Sequence, residues 1–338
     1  MHPKHLLDRY GIEPKKSLGQ NFLHDEGLLA KIAAAAELSL DDDVLEVGPG
    51  LGALTRHLCR RARRVVAVEL DQRLLPALEG ELADCDNVEI VHGDVLALDP
   101  ADWFTAPYAV VANVPYYITA AILRHLLESR PRPRRLVLTM QREVADRLIA
   151  KPPDMSLLAV SVQYYGKVRL VSAVKAGAFW PRPDVDSAVV RIDVEERHLW
   201  SAGEQGSGGA GETTEDGRRT TDEATPVARP PTADRRPRPE AESASADAGG
   251  GAVPPAPPPP RSPALPPDPN EARFFRLIRA GFSEKRKQLK NNLRSLGLGD
   301  EAIAAALEQA GIDGRRRAET LAVAEWERLA EAVADAQR

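Results

Sequence analysis

The chain has 338 residues, with 45 Lys and Arg against 50 Asp and Glu and a formal net charge of −5. No apolar run of about 18 residues occurs, which excludes a membrane-spanning helix, and Met1-His2-Pro3-Lys4-His5 leads into no apolar signal region. Two cysteines, Cys59 and Cys85, cannot build a disulfide framework or a four-cysteine zinc site, so a reduced, cytoplasmic protein of about two domains is expected.

Taken in chain order, the first part alternates short Val/Ile/Leu runs with helical stretches. Asp43–Val47 reads as a strand that stops at glycines, 53–63 as a helix and Arg64–Glu69 as a second strand. A helix over 74–82, a third strand over 88–91 and a fourth over 108–112 follow. Thr119–Glu128 is helical, 135–140 is a fifth strand, and two more strands fall near 168–174 and 187–192. Strands alternating with helices predict a seven-stranded, mostly parallel sheet covered on both faces, an α/β fold.

Residues 197–270 change character. Gly-Ser-Gly-Gly-Ala-Gly gives way to acidic patches and then to Pro254-Pro255-Ala256-Pro257-Pro258-Pro259-Pro260, and roughly half of the chain's 28 prolines lie here. Too little apolar surface is available to offset the entropy of ordering, so a disordered insert is expected. From Glu271 the helical period returns through Phe274, Phe275, Leu277 and Ile278, and then through Leu289, Leu293 and Leu296. Ile303, Leu307, Leu321, Trp326 and Leu329 continue it, giving a small all-α domain of about four helices. The expected division is 1–196, 197–270 and 271–338.

In open α/β sheets ligands sit at the carboxyl ends of the strands. The first such end is Glu46-Val47-Gly48-Pro49-Gly50-Leu51-Gly52, where alternating glycines let the backbone turn sharply and approach a ligand closely. A tight turn without a ligand would read the same, and a dinucleotide loop would space its glycines G-x-G-x-x-G. The E-x-G-x-G-x-G pattern resembles the S-adenosylmethionine loop of Rossmann-like methyltransferases. Glu69, ending the second strand, can accept both ribose hydroxyls of an adenosine, and Asp94, after the third, its amino group. His92 has no His or Cys partner at metal spacing, and no metal is expected.

The fourth strand end, Val111-Ala112-Asn113-Val114-Pro115-Tyr116-Tyr117, resembles the N-x-P-Y turn of amino-methyltransferases. An exocyclic amine delocalises its lone pair into the ring and is a poor nucleophile. The Asn113 oxygen and a nearby backbone carbonyl can accept its hydrogens and return the lone pair to nitrogen. Pro115 fixes the turn, and Tyr116 can stack on a base turned out of its strand.

Lys15-Lys16-Ser17-Leu18-Gly19-Gln20-Asn21-Phe22-Leu23 and Phe179-Trp180-Pro181-Arg182-Pro183-Asp184-Val185 complete a pattern. With G-Q-N-F-L, E-x-G-x-G-x-G, N-x-P-Y-Y and F-x-P-x-P-x-V in order, the chain resembles the ribosomal RNA adenine N6-dimethyltransferases, in particular their bacterial small-subunit branch. The resemblance covers about 10–195 and about 271–335; the long insert departs from it. It implies a Rossmann-like domain that uses S-adenosyl-L-methionine to dimethylate two adjacent adenines near the 3′ end of small-subunit ribosomal RNA, in pre-assembled subunits. Asn21, Leu23, Gly48, Gly50, Glu69, Asp94 and Asn113 would hold the cofactor, and Phe179 would pack on the target adenine opposite Tyr116. A large-subunit dimethyltransferase of the antibiotic-resistance type and a non-catalytic assembly factor remain as alternatives.

A net charge of −5 argues against a nucleic-acid partner only if the charges are evenly spread, and they are not. Arg276, Arg279, Lys285, Arg286, Lys287, Lys290 and Arg294 are opposed between 273 and 294 by Glu284 alone. Such a run is either a solvated surface or a phosphate-binding face; Arg279, Lys285, Arg286, Lys287, Lys290 and Arg294 are the expected RNA contacts. Oligomeric state leaves no signal, and a monomer is the expectation.

Overall fold

Val44, Val65, Val66, Val110, Val111 and Leu136 alternate with other apolar residues rather than with polar ones. Such runs suit only strands buried on both faces, and all six side chains are completely buried. A computed structural model describes residues 2–195 and 268–337. The insert expected over 197–270 thus lies outside the described residues, apart from its last three.

Among the described residues the strands are β1 (Phe22–Leu23), β2 (Asp43–Val47), β3 (Arg64–Glu69), β4 (Val88–His92) and β5 (Ala109–Asn113). They continue with β6 (Arg135–Gln141), β7 (Gly166–Val174), β8 (Phe179–Trp180) and β9 (Ser187–Val194). Seven form one sheet in the order β4-β3-β2-β5-β6-β9-β7. Pairs from β4 through β6 are parallel, while β9 runs antiparallel to both β6 and β7. The chain leaves β2 for β3 on one side and returns to β5 on the other. The carboxyl ends of β2 and β5 therefore open onto a crevice, the place where such sheets bind ligands.

The helices are α1 (Pro3–Tyr10), α2 (Glu26–Ala35), α3 (Thr55–Cys59), α4 (Leu75–Glu81), α5 (Thr119–Glu128), α6 (Arg142–Leu148) and α7 (Leu157–Gln163). Four more close the chain: α8 (Pro269–Gly281), α9 (Leu289–Leu293), α10 (Asp300–Gln309) and α11 (Val323–Ala336). The helix expected over 53–63 is confined to α3, because the glycine loop consumes its first turn. Leu29, Ile32, Ala33, Leu54 and Leu58 cover one face of the sheet. Ile122, Leu123 and Val160 cover the other, and their apolar cluster runs on without a break into Phe274, Leu289 and Trp326.

That seam is aromatic and charged at once. The Tyr164 and Phe274 rings stack with centroids 4.0 Å apart. Glu271, buried in the first turn of α8, meets Arg130 at 3.2 Å and Arg132 at 3.0 Å and accepts the Tyr165 hydroxyl. Paired on three sides, its charge is compatible with burial. The bundle itself closes around Trp326, which is fully buried against Phe282. Gly281 ends α8 directly against this indole, and a Cβ there would overlap the Trp326 ring and stand 3.3 Å from Leu289 Cδ1.

Gly281→Ala is therefore expected to destabilise the protein, although alanine ordinarily helps a helix. Overpacking costs about 1–3 kcal/mol, against at most about 1 kcal/mol of helix propensity. A lower midpoint in chemical denaturation would register it; an unchanged or higher midpoint would contradict the packing described.

Candidate active site

Each parallel strand delivers one group to the crevice. After β2, Gly48, Gly50 and Gly52 all take left-handed backbone angles, φ 67°, 60° and 77°, which only glycine adopts freely. The Gly48 N–H donates to the Val68 carbonyl at 2.9 Å, fastening the loop to β3. The Gly50 N–H donates at 3.0 Å to Glu69 Oε2, at the end of β3. The other oxygen, Glu69 Oε1, accepts the Asp71 N–H at 2.8 Å. Each oxygen has capacity to accept a further hydrogen bond. Asp94 lies past β4 and accepts the Leu96 N–H on Oδ1 at 2.9 Å.

Residues before β2 close the crevice from above. Gln20 accepts the Lys15 N–H at 2.7 Å and donates to Asp71 Oδ2 at 2.8 Å. The segment then pairs as β1 with β8, Phe22 facing Trp180 and Leu23 facing Phe179. The Asn21 carbonyl accepts the Asn113 side-chain N–H at 3.0 Å. With its donor so engaged, the Asn113 amide offers Oδ1 as its acceptor. Past it, the Tyr116 hydroxyl lies 2.6 Å from Ser187 Oγ, and burial pushes its pKa up.

The result is a cavity of about 290 Å³ lined by Asn21, Leu23, Gly48, Gly50, Glu69, Asp94, Asn113, Pro115 and Tyr116. Nine sequence-designated residues thus converge on one space. Phe179 does not join them. It is 3% exposed, in the aliphatic cluster of Leu23, Leu29, Leu54 and Val111, because pairing with β1 turns β8 inward. Pro3 and Leu6 of α1, Leu70 and Tyr117 also line the cavity, and the sequence reading named none of them as site residues. The α1 helix was legible in principle. Proline in its first turn and glycine after its last residue are ordinary boundary signals.

The floor is acidic. Glu46 is wholly buried, and its Oε2 has no hydrogen-bond partner among the described residues. Burial pushes its pKa up to about 8, with the Glu69 charge adding to the rise and Thr55 opposing it. Burial also raises Glu69, against the pull of the Asp71 and Gly50 N–H groups. Asp71 goes the other way, held down at about 2 by Arg73, with Gln20 assisting. A crevice with buried carboxyl acceptors and close-approach glycines suits a ligand that carries hydroxyls and positive charge. Among the described residues no group of His, Cys, Asp and Glu is arranged to hold a metal, and no helix is long and apolar enough to cross a membrane.

The basic run is not helical throughout. Lys285, Arg286 and Lys287 occupy an exposed turn between α8 and α9. Lys287 meets Glu284 at 2.9 Å and Arg294 meets Asp300 at 2.8 Å.

The raised Glu46 pKa sets a pH dependence. Between about 4.5 and about 8 the unfolded chain has released a proton that the native chain keeps, so stability falls as pH rises through that window and levels off above it. Glu46→Gln removes this titration. Relative to wild type, the ligand-free variant is expected to gain stability from pH 5 to 8.5, on the order of 5 kcal/mol at most. Urea denaturation at both values measures it, and parallel pH profiles would refute it.

A family model for ribosomal RNA adenine dimethylase matches residues 12–202. The ribosomal RNA small subunit methyltransferase A of Dehalococcoides mccartyi is 37% identical over 329 residues, covering 96% of this chain and 90% of that one. The protein of the same name from Geobacillus thermodenitrificans is 38% identical, covering 98% and 94%. Among solved structures, the 23S rRNA methyltransferase ErmE superposes with a TM-score of 0.61 at 26% identity, over 93% of this chain and all of that one. A Plasmodium falciparum dimethyladenosine transferase shares the fold at a TM-score of 0.63 and 21% identity, covering 91% and 95%. The chain belongs to the ribosomal RNA adenine dimethylase family.

Proposed function

We infer that this chain, a monomer in the cytoplasm, transfers methyl groups from S-adenosyl-L-methionine to the N6 amino groups of adenines in small-subunit ribosomal RNA. Two adjacent adenines near the RNA's 3′ end receive two methyls each, late in subunit assembly. One observation carries the chemistry. Asn113, its side-chain N–H tied to the Asn21 carbonyl, lines one cavity with the glycine loop, Glu69 and Asp94.

The residues fit the cofactor. Glu69 has lone pairs left for ribose hydroxyls, Asp94 has an oxygen left for an adenine amine, and the glycines admit the backbone close to both. A cationic ligand would favour ionisation of Glu46, whose Oε2 has no partner among the described residues. When bound, the cofactor supplies a methyl group on a positively charged sulfur. This chain's own part is to orient the acceptor. Asn113 Oδ1 and a carbonyl of the same turn take the amine hydrogens and localise the nitrogen lone pair. Pro115 fixes that turn, and Tyr116, anchored to Ser187, offers a ring to the base. Phe179 supports the Leu23 backbone through strand pairing and would act on the base only indirectly. A direct methyl displacement with a good leaving group needs mainly such positioning.

In this reading residues 1–196 hold the cofactor and the base, and 271–338 hold the RNA. The small-subunit assignment rests on full-length identities of 37–38%, against 26% for the large-subunit enzyme. A primer-extension map of the methylated bases separates the two. An assembly factor without catalysis would not need the Asn113 geometry.

Asn113→Ala is expected to lower methyl transfer to unmethylated small subunits by about a hundredfold or more, the loss of roughly 3 kcal/mol of transition-state contact. Cofactor affinity should change much less. Near-normal turnover of the purified variant would remove Asn113 from the chemistry.

Among the described residues no ion pair is found for Arg279, Lys285 or Arg286, which makes them the best-placed phosphate contacts of the basic run. Reversing all three to Glu should weaken subunit binding and make its salt dependence shallower by about two units of log–log slope. Equal slopes for variant and wild type would place the RNA elsewhere.

A further inference from the structure

Tyr117 has no role in the chemistry above, yet its position is unusual for an aromatic residue. The residue is 61% exposed while lining the cavity, one position beyond the half-buried Tyr116. The turn Tyr116–Ile118 runs directly into α5, which fixes the backbone beneath it. One edge of the ring lies against Gly19. A Cβ at that glycine would stand 3.5 Å from Tyr117 Cδ1 and Cε1, and its φ of 63° is itself a glycine conformation. The loop bearing Gly19 is held at both ends by Gln20, through Lys15 and Asp71. It also displays two exposed cations, Lys15 and Lys16.

An exposed aromatic face beside lysines on a braced loop has the chemistry of single-stranded RNA recognition. Bases stack on the ring, and phosphates meet the cations. We propose that Tyr117 is the stacking platform for the nucleotide flanking the target base, with Lys15 and Lys16 on its phosphates. This rests on the methyltransferase reading and adds a substrate contact to it. When the target base turns out of its stack to reach Asn113, its neighbour loses one stacked face. Tyr117 stands at the mouth, where that neighbour must remain, and replaces the lost face. Stacking tolerates any base, so the contact sets affinity and register rather than sequence.

The test uses the full chain, labelled S-adenosyl-L-methionine and unmethylated small subunits, with Tyr117→Ala, Leu, Phe and Trp. Tyr117→Ala and Tyr117→Leu are expected to raise KM for the subunit about tenfold, the size of a lost base–aromatic stack. The loss falls on KM rather than kcat, as expected for binding equal in ground and transition states. Tyr117→Phe and Tyr117→Trp should restore KM. Tyr117→Leu keeps apolar bulk, so a defect shared with Tyr117→Ala at equal thermal midpoints is not a folding loss. Unaltered KM in both, a loss confined to kcat, or failure of Tyr117→Phe to restore KM would each overturn the stacking role. No label transfer by wild type would instead defeat the underlying methyltransferase reading.

Discussion

Much of the site hangs on one buried carboxylate. Glu69 ends β3 and takes the N–H of Gly50 on one oxygen and that of Asp71 on the other. These bonds fix the glycine loop after β2 against the loop after β3. A carboxylate in so dry a place would ordinarily protonate or disrupt its surroundings, and backbone N–H groups are what make it tolerable. Asp71, placed by one of those bonds, receives Gln20 and Arg73. Gln20 in turn holds the segment that carries Asn21 over the cavity. The N-terminal approach, the glycine loop and Glu69 are therefore one connected hydrogen-bond network.

A second buried carboxyl lies beside that network, and burial favours its protonated form. Glu46 lies wholly buried, the Glu69 charge adds to its cost of ionisation, and Glu46 Oε2 has no partner among the described residues. A chain optimised for stability alone would fill that position with an apolar side chain. Retaining the carboxyl makes sense where a ligand completes it. Some stability of the empty protein is thus given over to binding, as is common at functional sites.

The parts of this architecture that were legible share a physical basis. Strands such as Arg64–Glu69 are short β-branched runs whose identity is local, and glycine loops follow them because turns need residues without a Cβ. The unread parts depend on distant contacts. Nothing near Phe22 announces that it pairs with Trp180, and only that pairing turns Phe179 into the core. Lys285-Arg286-Lys287 has good helical propensity, yet the chain turns there. Leu289 N–H donates to the Arg316 carbonyl at 2.7 Å, and Asn292 donates to the Gly281 and Glu284 carbonyls. Tertiary hydrogen bonds override propensity at that corner. Tyr117 was visible in the motif, but only its exposure separates it from its half-buried neighbour Tyr116.

The same long-range logic governs the reactive turn. An asparagine amide can face either way, and a free one would divide its time between presenting a donor and an acceptor. The Asn21 carbonyl removes that ambiguity, because it can only accept, and so the N–H of Asn113 must turn toward it. The acceptor is thus aimed by a residue 92 positions earlier, on a segment that is itself braced by Gln20 against Asp71. Loosening that segment would cost orientation at Asn113 before it touched any atom of the base. Chemistry read from the end of β5 therefore depends on the N-terminal approach being in place. On the proposed role of Asn113, that dependence makes residues 15–21 part of the active site rather than a leader to it.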